Sequence, residues 1–202
     1  MGILTPEGYC YNPPNFTILC YFGEFMTQKV CVFIDGSNFY HGLKKQLGNT
    51  HIDFYKLSLL LCGSQRMLIR TYYYNAPVNK DDDEEMYKHQ QRFFASLDNT
   101  PYLTKKLGRL EHRNESVIEK GVDIFLAVDM LKYAYNNSYD VAILISSDGD
   151  FSEAVNAVKD LGKHVEYAHF EYGKSKHLLA CCDRHILMTN DLLTSCLTPK
   201  KI

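Results

Sequence analysis

Carboxylates follow two apolar segments of the chain at the point where each segment ends. Asp35 follows residues 30–34, and Asp148 and Asp150 follow residues 141–145. Apolar runs bounded by Gly and Asp are typical of strands that are buried on both faces. Because ligands of open parallel sheets bind beyond the carboxyl ends of the strands, we expect these carboxylates to meet at one edge of a sheet. Carboxylates gathered there repel one another unless a cation joins them, so the pattern predicts a divalent metal ion and, with it, a phosphate.

The small and polar residues beside these carboxylates have two interpretations. Gly36 permits a tight exit from the first strand, and Asn38 can either cap the next helix or hydrogen-bond a phosphate, a metal-bound water or Asp35. Asp150 can likewise cap the helix that follows it. A purely structural role, as strand-to-helix turns, therefore stays open beside the catalytic one.

A third carboxylate lies between the two segments. Asp123 stands at the start of an apolar helix, where it can bind a metal ion or interact only with the helix dipole. Asp129 lies six residues further along and, at ~100° per residue, points about 120° away from Asp123. We therefore expect Asp129 not to share an ion with Asp123, but to hold the turn after the first strand or to pair with a lysine.

The composition excludes several classes of protein. The 202 residues suit one domain, and seven cysteines without regular spacing indicate reduced thiols rather than a disulfide framework. The histidines show no zinc-binding spacing. No apolar run approaches the roughly 20 residues that span a bilayer, and no secretory signal is recognisable, so we predict a cytoplasmic protein without membrane association. The net charge of −2 does not by itself indicate nucleic-acid binding.

Strands and helices are predicted to alternate, which implies right-handed βαβ units and an α/β fold around a mostly parallel sheet. Strands are predicted at residues 30–34, 67–74, 102–112, 141–145, 165–168 and 186–188, and helices at 38–47, 53–62, 81–97, 120–135, 151–161 and 175–181. The acidic run 81–85 is interpreted as a helix start rather than as a metal cluster.

The predicted domain spans residues 29–190. Residues 1–28 form an extension for which draping on the domain, disorder and a non-native origin are alternatives. Residues 191–202 are predicted to be a fraying tail.

Three blocks of the chain together resemble the NYN domain family, in the LabA-like (DUF88) branch of the PIN-like nuclease superfamily. They are Phe-Ile-Asp-Gly-Ser-Asn-Phe-Tyr at residues 33–40, Lys-Gly-Val-Asp with Leu-Ala-Val-Asp-Met at 120–130, and Ser-Ser-Asp-Gly-Asp-Phe at 146–151. The resemblance covers residues 30–188. It implies a PIN-like, three-layer α/β/α domain and an endoribonuclease that uses Mg²⁺ or Mn²⁺.

The resemblance also implies roles for individual residues. Asp35, Asp123 and Asp148 correspond to the metal-binding carboxylates, Asp150 to an accessory acid, and Asn38 to a polar residue beside the first carboxylate. RNA is the expected partner, and a homodimer is one option. Residues expected to contact nucleic acid are Ser37, Ser147, Lys44, Lys105, Lys106, Arg109, Arg113 and Lys120; Lys45 is a further candidate for a phosphate contact.

Other functions remain as alternatives. A non-catalytic RNA- or protein-binding module could keep the same acidic pocket. Two other metal-dependent families fit the sequence less well. A von Willebrand type A metal motif would need a serine in place of Phe39, and a haloacid-dehalogenase-type phosphatase would need a second aspartate in place of Ser37.

Overall fold

The computed structural model describes residues 27–113 and 116–198, without the side chains of residues 109–120. Its strands are β1 Lys29–Asp35, β2 Met67–Asn75, β3 Leu103–Leu107, β4 Arg109–Arg113, β5 Ser116–Lys120, β6 Val141–Ile145, β7 His164–His169 and β8 Arg184–Leu187. Six of them form one sheet in the order β3-β2-β1-β6-β7-β8, and every neighbouring pair is parallel. β4 and β5 form a separate antiparallel hairpin.

Helices cover both faces of the sheet. They are α1 Gly36–Leu47, α2 Phe54–Cys62, α3 Glu84–Asp98, α4 Val122–Tyr135, α5 Ser152–Asp160, α6 Lys176–Cys181 and α7 Asn190–Ser195. Buried residues of α1, α2, α3 and α7 pack in one core cluster, and those of α4, α5 and α6 pack in a second cluster. Because the central strands are buried on both faces, they consist of apolar runs rather than alternating patterns. The predicted three-layer α/β/α architecture is confirmed.

Several local predictions are also confirmed by the helix caps. The carboxylates of Asp53 and Asp83 accept backbone N–H groups at the starts of α2 and α3, so the acidic run does begin a helix. Ser175 caps α6 at its predicted start in the same way. These side chains satisfy the N–H groups that the first turn of a helix leaves without partners.

Three predictions of secondary structure are wrong. The single strand predicted at residues 102–112 is interrupted at Gly108, where β3 leaves the sheet and the hairpin begins. The helix predicted from residue 151 is preceded by a 3₁₀ turn, Gly149–Phe151. Residues 191–198 are not a fraying tail, because α7 places the fully buried Leu193 and Cys196 in the core. The predicted extension, apart from residues 27 and 28, lies outside the described residues, as do residues 199–202.

The order of the strands places a crevice between β1 and β6. From β1 the chain proceeds outward to β2 and β3, and then returns to β6 and proceeds outward in the other direction. At such a switch point, the loops that follow the two neighbouring strands lead away in opposite directions. A crevice for a ligand therefore lies between these loops, at the carboxyl edge of the sheet. None of the helices in the described ranges is long and apolar enough to cross a membrane.

Candidate active site

Asp35 is the last residue of β1 and lies at this crevice, where it is only 3% exposed. Its Oδ1 accepts the backbone N–H of Asn38 at 3.1 Å and thereby caps α1. Its Oδ2 accepts the hydroxyl of Ser146 at 2.9 Å and a hydrogen bond from the Asn38 side chain. These bonds use three of the roughly four acceptor positions of a carboxylate. Asp35 is therefore held in one orientation and keeps capacity for one further ligand.

Ser146, the first residue after β6, connects this carboxylate to the second acidic turn. Its Oγ also accepts the backbone N–H of Asp148 at 3.1 Å. Oδ1 of Asp148 in turn accepts the backbone N–H of Asp150 at 2.9 Å and caps the 3₁₀ turn. The Ser147 hydroxyl donates to Oδ1 of Asn38, so both turns are joined by two separate contacts. The predictions that Asn38 and Asp150 cap the following helices are wrong, because the caps are Asp35 and Asp148, which accept the backbone N–H groups of Asn38 and Asp150. The catalytic roles of Asn38 and Asp150 stay predictions.

Asp123 reaches the same edge by a different route. The hairpin begins beside the carboxyl end of β3, and β5 pairs Lys120 with Arg109, so α4 starts at this edge of the sheet. Its other end lies at the amino edge, where Lys29 Nζ donates to the carbonyl oxygen of Asn137 at 2.6 Å. Asp123 is exposed in the first turn of α4. The backbone thus places all three predicted carboxylates at one edge.

The donor set fits a hard divalent cation. Carboxylate and hydroxyl oxygens are the ligands that Mg²⁺ and Mn²⁺ prefer, and sites for Mg²⁺ commonly contain one or two carboxylates with several waters. Within residues 27–113 and 116–198, no group of three or more His, Cys, Asp or Glu side chains is arranged to hold a metal ion. The oxygen donors of Asp35, Asp123 and Asp148 suit such a cation in type, but among the described residues they are not arranged around a common point, and their assignment as metal ligands stays a prediction.

Asp129 has the separate role that the helix geometry predicted. It is 6% exposed and accepts the Tyr74 hydroxyl at 2.9 Å and the ammonium of Lys106. Lys106 also donates to the Tyr133 hydroxyl at 3.2 Å. Burial lowers the pKa of Lys106, but these hydrogen bonds outweigh it, and the net shift is upward. The pairing with a lysine is therefore confirmed, and it identifies Lys106 as the partner.

The predicted basic residues do not form one patch. Lys105 and Lys106 point to opposite faces of the sheet, and Lys105 pairs with Asp98 at 2.7 Å. Lys44 lies 5.8 Å from the centre of the Tyr40 ring, on the exposed side of α1. Ser37 is exposed in the first turn of α1, next to Asp35. Arg109, Arg113 and Lys120 lie on the hairpin, and their side chains are outside the described part.

The comparison with protein families agrees with this arrangement. A family model described as the NYN domain matches residues 29–189. This chain belongs to the NYN domain family. Its carboxylates therefore lie in a PIN-like domain of nuclease type, and the helices and sheet described above are those of an NYN domain. Membership in the LabA-like (DUF88) branch stays a prediction.

One solved structure supports the fold of this NYN domain. A protein of unknown function from Vibrio parahaemolyticus is 20% identical, with a TM-score of 0.65, and the alignment covers 83% of this chain and 96% of that one. A proposed oxidoreductase from Parabacteroides merdae is 15% identical with a TM-score of 0.28 over 70% of this chain and 24% of its own, which carries no argument. No curated protein matches the chain.

Proposed function

We propose that this NYN domain is a metal-dependent endoribonuclease that hydrolyses RNA phosphodiester bonds with Mg²⁺ or Mn²⁺. The observation that carries the proposal is the hydrogen-bonded group of Asp35, Ser146 and Asp148 at the switch point of the sheet. A single hydroxyl orients both acidic turns, and the first turn of α4 brings Asp123 to the same edge. Membership in a nuclease-type family supports the same conclusion.

In the proposed reaction, different residues at this edge would bind the cation, orient Asp35 and accept a proton. Asp35, Asp123 and Asp148 would hold the cation, which when bound supplies charge stabilisation and lowers the pKa of water. Asn38 and Ser146 keep Asp35 in a fixed orientation, so that the carboxylate does not have to reorganise during the reaction. Asp150 is exposed beside them and can accept a proton from the attacking water as an accessory acid–base group.

The surroundings of this edge favour a substrate that carries phosphate, as the proposed RNA does. The N-termini of α1 and α4 lie here, and the positive ends of helix dipoles attract phosphate. Ser37 and Ser147 add exposed hydroxyls to the edge. The hairpin starts from the same edge and carries Arg109, Arg113 and Lys120, which are suited to phosphate contacts. A homodimer and a cytoplasmic location remain predictions that this proposal does not require.

A cleavage assay tests the proposal. Labelled single-stranded and hairpin RNAs are incubated with the protein and Mn²⁺ or Mg²⁺, and with EDTA as the metal-free control. We expect internal cleavage that EDTA abolishes and that Asp148→Asn reduces at least about 100-fold, the order of magnitude known for the loss of one group that stabilises a transition state electrostatically. Asp82→Asn, an exposed carboxylate before α3, is the matched control and should cleave like the wild type. Equal cleavage by wild type and Asp148→Asn would refute the proposal.

A second candidate is an RNA- or protein-binding module without turnover. One observation favours it: Asp35 is 3% exposed and already accepts hydrogen bonds from Asn38 and Ser146. A carboxylate used in this way can serve the structure alone. RNA binding without cleavage under any of the metal conditions would favour this candidate over the nuclease.

A further inference from the structure

A cavity of about 170 Å³ adjoins the acidic edge on the side of β7. α1 contributes Asn38, His41 and Lys45 to its lining, and the segment after β7 contributes Phe170 and Tyr172. The side chains of Asn38 and Ser147 line this cavity and also contact the acidic group, since Ser147 donates to Asn38 and Asn38 donates to Asp35. A ligand in the cavity would therefore lie directly beside Asp35.

The floor of the cavity is apolar and tightly packed. Phe39, Ile145 and Ala168 are at most 2% exposed, and Phe170 is 8% exposed. Phe170 lies against α1 so closely that a Cβ on Gly42 would be 2.3 Å from its ring. The cavity is therefore a fixed feature of the packing. An apolar cavity of about 150 Å³ holds one benzene ring, so this one has room for a single aromatic ring.

The rim of the cavity is polar and aromatic. Tyr172 is 61% exposed, and the Lys45 ammonium lies 5.5 Å from the centre of its ring. Nδ1–H of His169 donates to the Phe170 carbonyl oxygen at 2.9 Å, which fixes the orientation of the imidazole ring beside the cavity. Asn38 and Ser147 add an amide and a hydroxyl. These are the groups that recognise a nucleobase: a ring to stack on and both donors and acceptors for its edge.

We infer that the cavity is a base-binding subsite that takes one pyrimidine of an RNA strand, next to the phosphate held at the acidic edge. The inference rests on the proposed function for the identity of the strand. The pyrimidine ring packs on the apolar floor and against Tyr172, and the polar edge of the base faces Asn38, Ser147 and His169. The volume of about 170 Å³ matches a single six-membered ring more closely than the two fused rings of a purine.

Equilibrium binding tests the subsite without requiring cleavage. Fluorescently labelled pentauridylate and pentaadenylate are titrated with wild type, Tyr172→Ala and Tyr135→Ala, with Ca²⁺ in place of Mg²⁺ or Mn²⁺. Tyr135 is the matched control, because it is 78% exposed at the end of α4 that lies at the amino edge. We expect pentauridylate to bind more tightly than pentaadenylate, Tyr172→Ala to weaken its binding at least about fivefold, and Tyr135→Ala to leave it unchanged.

Three results would overturn the inference. They are equal binding of the two RNAs by the wild type, equal binding of pentauridylate by wild type and Tyr172→Ala, and binding of uridine 5′-monophosphate as tight as that of the RNA. The last result would assign the cavity to a free nucleotide.

Sequencing of the ends that the protein produces from random RNA in Mn²⁺ separates the subsite from the function. A pyrimidine preference beside the cut that Tyr172→Ala removes supports both. Cleavage without such a preference refutes the subsite alone. Uridine-selective binding without cleavage supports the subsite and refutes the nuclease.

Discussion

Ser146 donates a 2.9 Å hydrogen bond from its hydroxyl to the carboxylate of Asp35. This bond joins the ends of β1 and β6, the adjacent strands at which the strand order reverses. The same oxygen accepts the N–H of Asp148. Both residues are almost fully buried, at 3% exposure for Asp35 and 5% for Ser146. One hydroxyl thus determines how two acidic turns, more than a hundred residues apart in the chain, face each other.

Removal of this hydroxyl should impair cleavage more than folding. We expect Ser146→Ala to lower the free energy of unfolding by about 1–2 kcal/mol, because the carboxylate and the N–H each lose a partner. Cleavage should fall at least about 10-fold, because Asp35 can then rotate. Ser58→Ala is the matched control: Ser58 is buried and accepts the Thr71 hydroxyl at 2.7 Å far from the edge. If both variants cleave alike after correction for the folded fraction, Ser146 has no positioning role.

Asp123 allows catalysis to be separated from stability, because it is exposed at the start of α4. Asp123→Asn keeps the size of an exposed side chain and removes its charge from the first turn of α4, so the free energy of unfolding should fall by no more than about 1–2 kcal/mol. We expect its cleavage rate to fall at least about 100-fold. Chemical denaturation and cleavage kinetics measure the two effects. A rate close to that of the wild type would exclude Asp123 from the site.

The buried pair of Lys106 and Asp129 should stabilise the fold. Lys106→Met leaves the Asp129 carboxylate, whose side chain is 9% exposed, without its cation. We expect a loss of about 3 kcal/mol, the lower end of the range for breaking a buried pair, because the Lys106 side chain is 30% exposed. Lys105→Met breaks the more exposed pair with Asp98 and should cost less than about 1 kcal/mol.

The contribution of Lys106 should depend on pH in one direction. Its pKa in the folded protein is raised above the ordinary value of 10.5. The stabilisation is therefore fully present below pH 10.5 and is lost as the pH rises through the pKa of the folded state. The difference in free energy of unfolding between wild type and Lys106→Met should stay constant from neutral pH to about pH 9 and shrink above 10.5. A difference that grows with pH would contradict this assignment.

Gly36 should tolerate no side chain. A Cβ there would lie 2.5 Å from the Tyr73 ring and 2.6 Å from the backbone oxygen of Tyr74. Because that oxygen belongs to β2, the helix start or the strand would have to move, and we expect Gly36→Ala to destabilise the protein by at least about 3 kcal/mol. Ser37→Ala, one residue further and exposed, should change stability by less than about 0.5 kcal/mol. A melting temperature of Gly36→Ala equal to that of Ser37→Ala would show that the turn adapts.

The central elements could be predicted from the sequence because their signals are local. Residues 30–34 of β1 and all of β6 are uninterrupted apolar runs, and Asp53 and Asp83 are caps that use neighbouring N–H groups. The meeting of Asp35 with Asp148 followed from the rule for parallel strands. The turn of ~100° per residue in a helix was enough to predict that Asp129 and Asp123 point in different directions and do not share an ion.

The remaining features depend on contacts between distant segments. The hairpin from Arg109 has no alternation of apolar and polar residues, and α7 has only six residues, too few for a periodic pattern. Lys106 could not be chosen as the partner of Asp129, because only the sheet order brings β3 beside α4. The cavity required the packing of α1 against the segment after β7, and no local pattern marks His169 or Tyr172.

Diffraction from a crystal soaked in Mn²⁺ tests the central claim most directly, because an anomalous difference map locates the ion without assumptions about activity. We expect a Mn²⁺ peak at the carboxyl edge between β1 and β6, in direct contact with oxygens of Asp35 and Asp148 and on the side of Asp123. The same soak of Asp148→Asn should show a weakened peak or none. If a saturating soak leaves this edge without Mn²⁺, or if Mn²⁺ binds only elsewhere, these carboxylates are not a metal site.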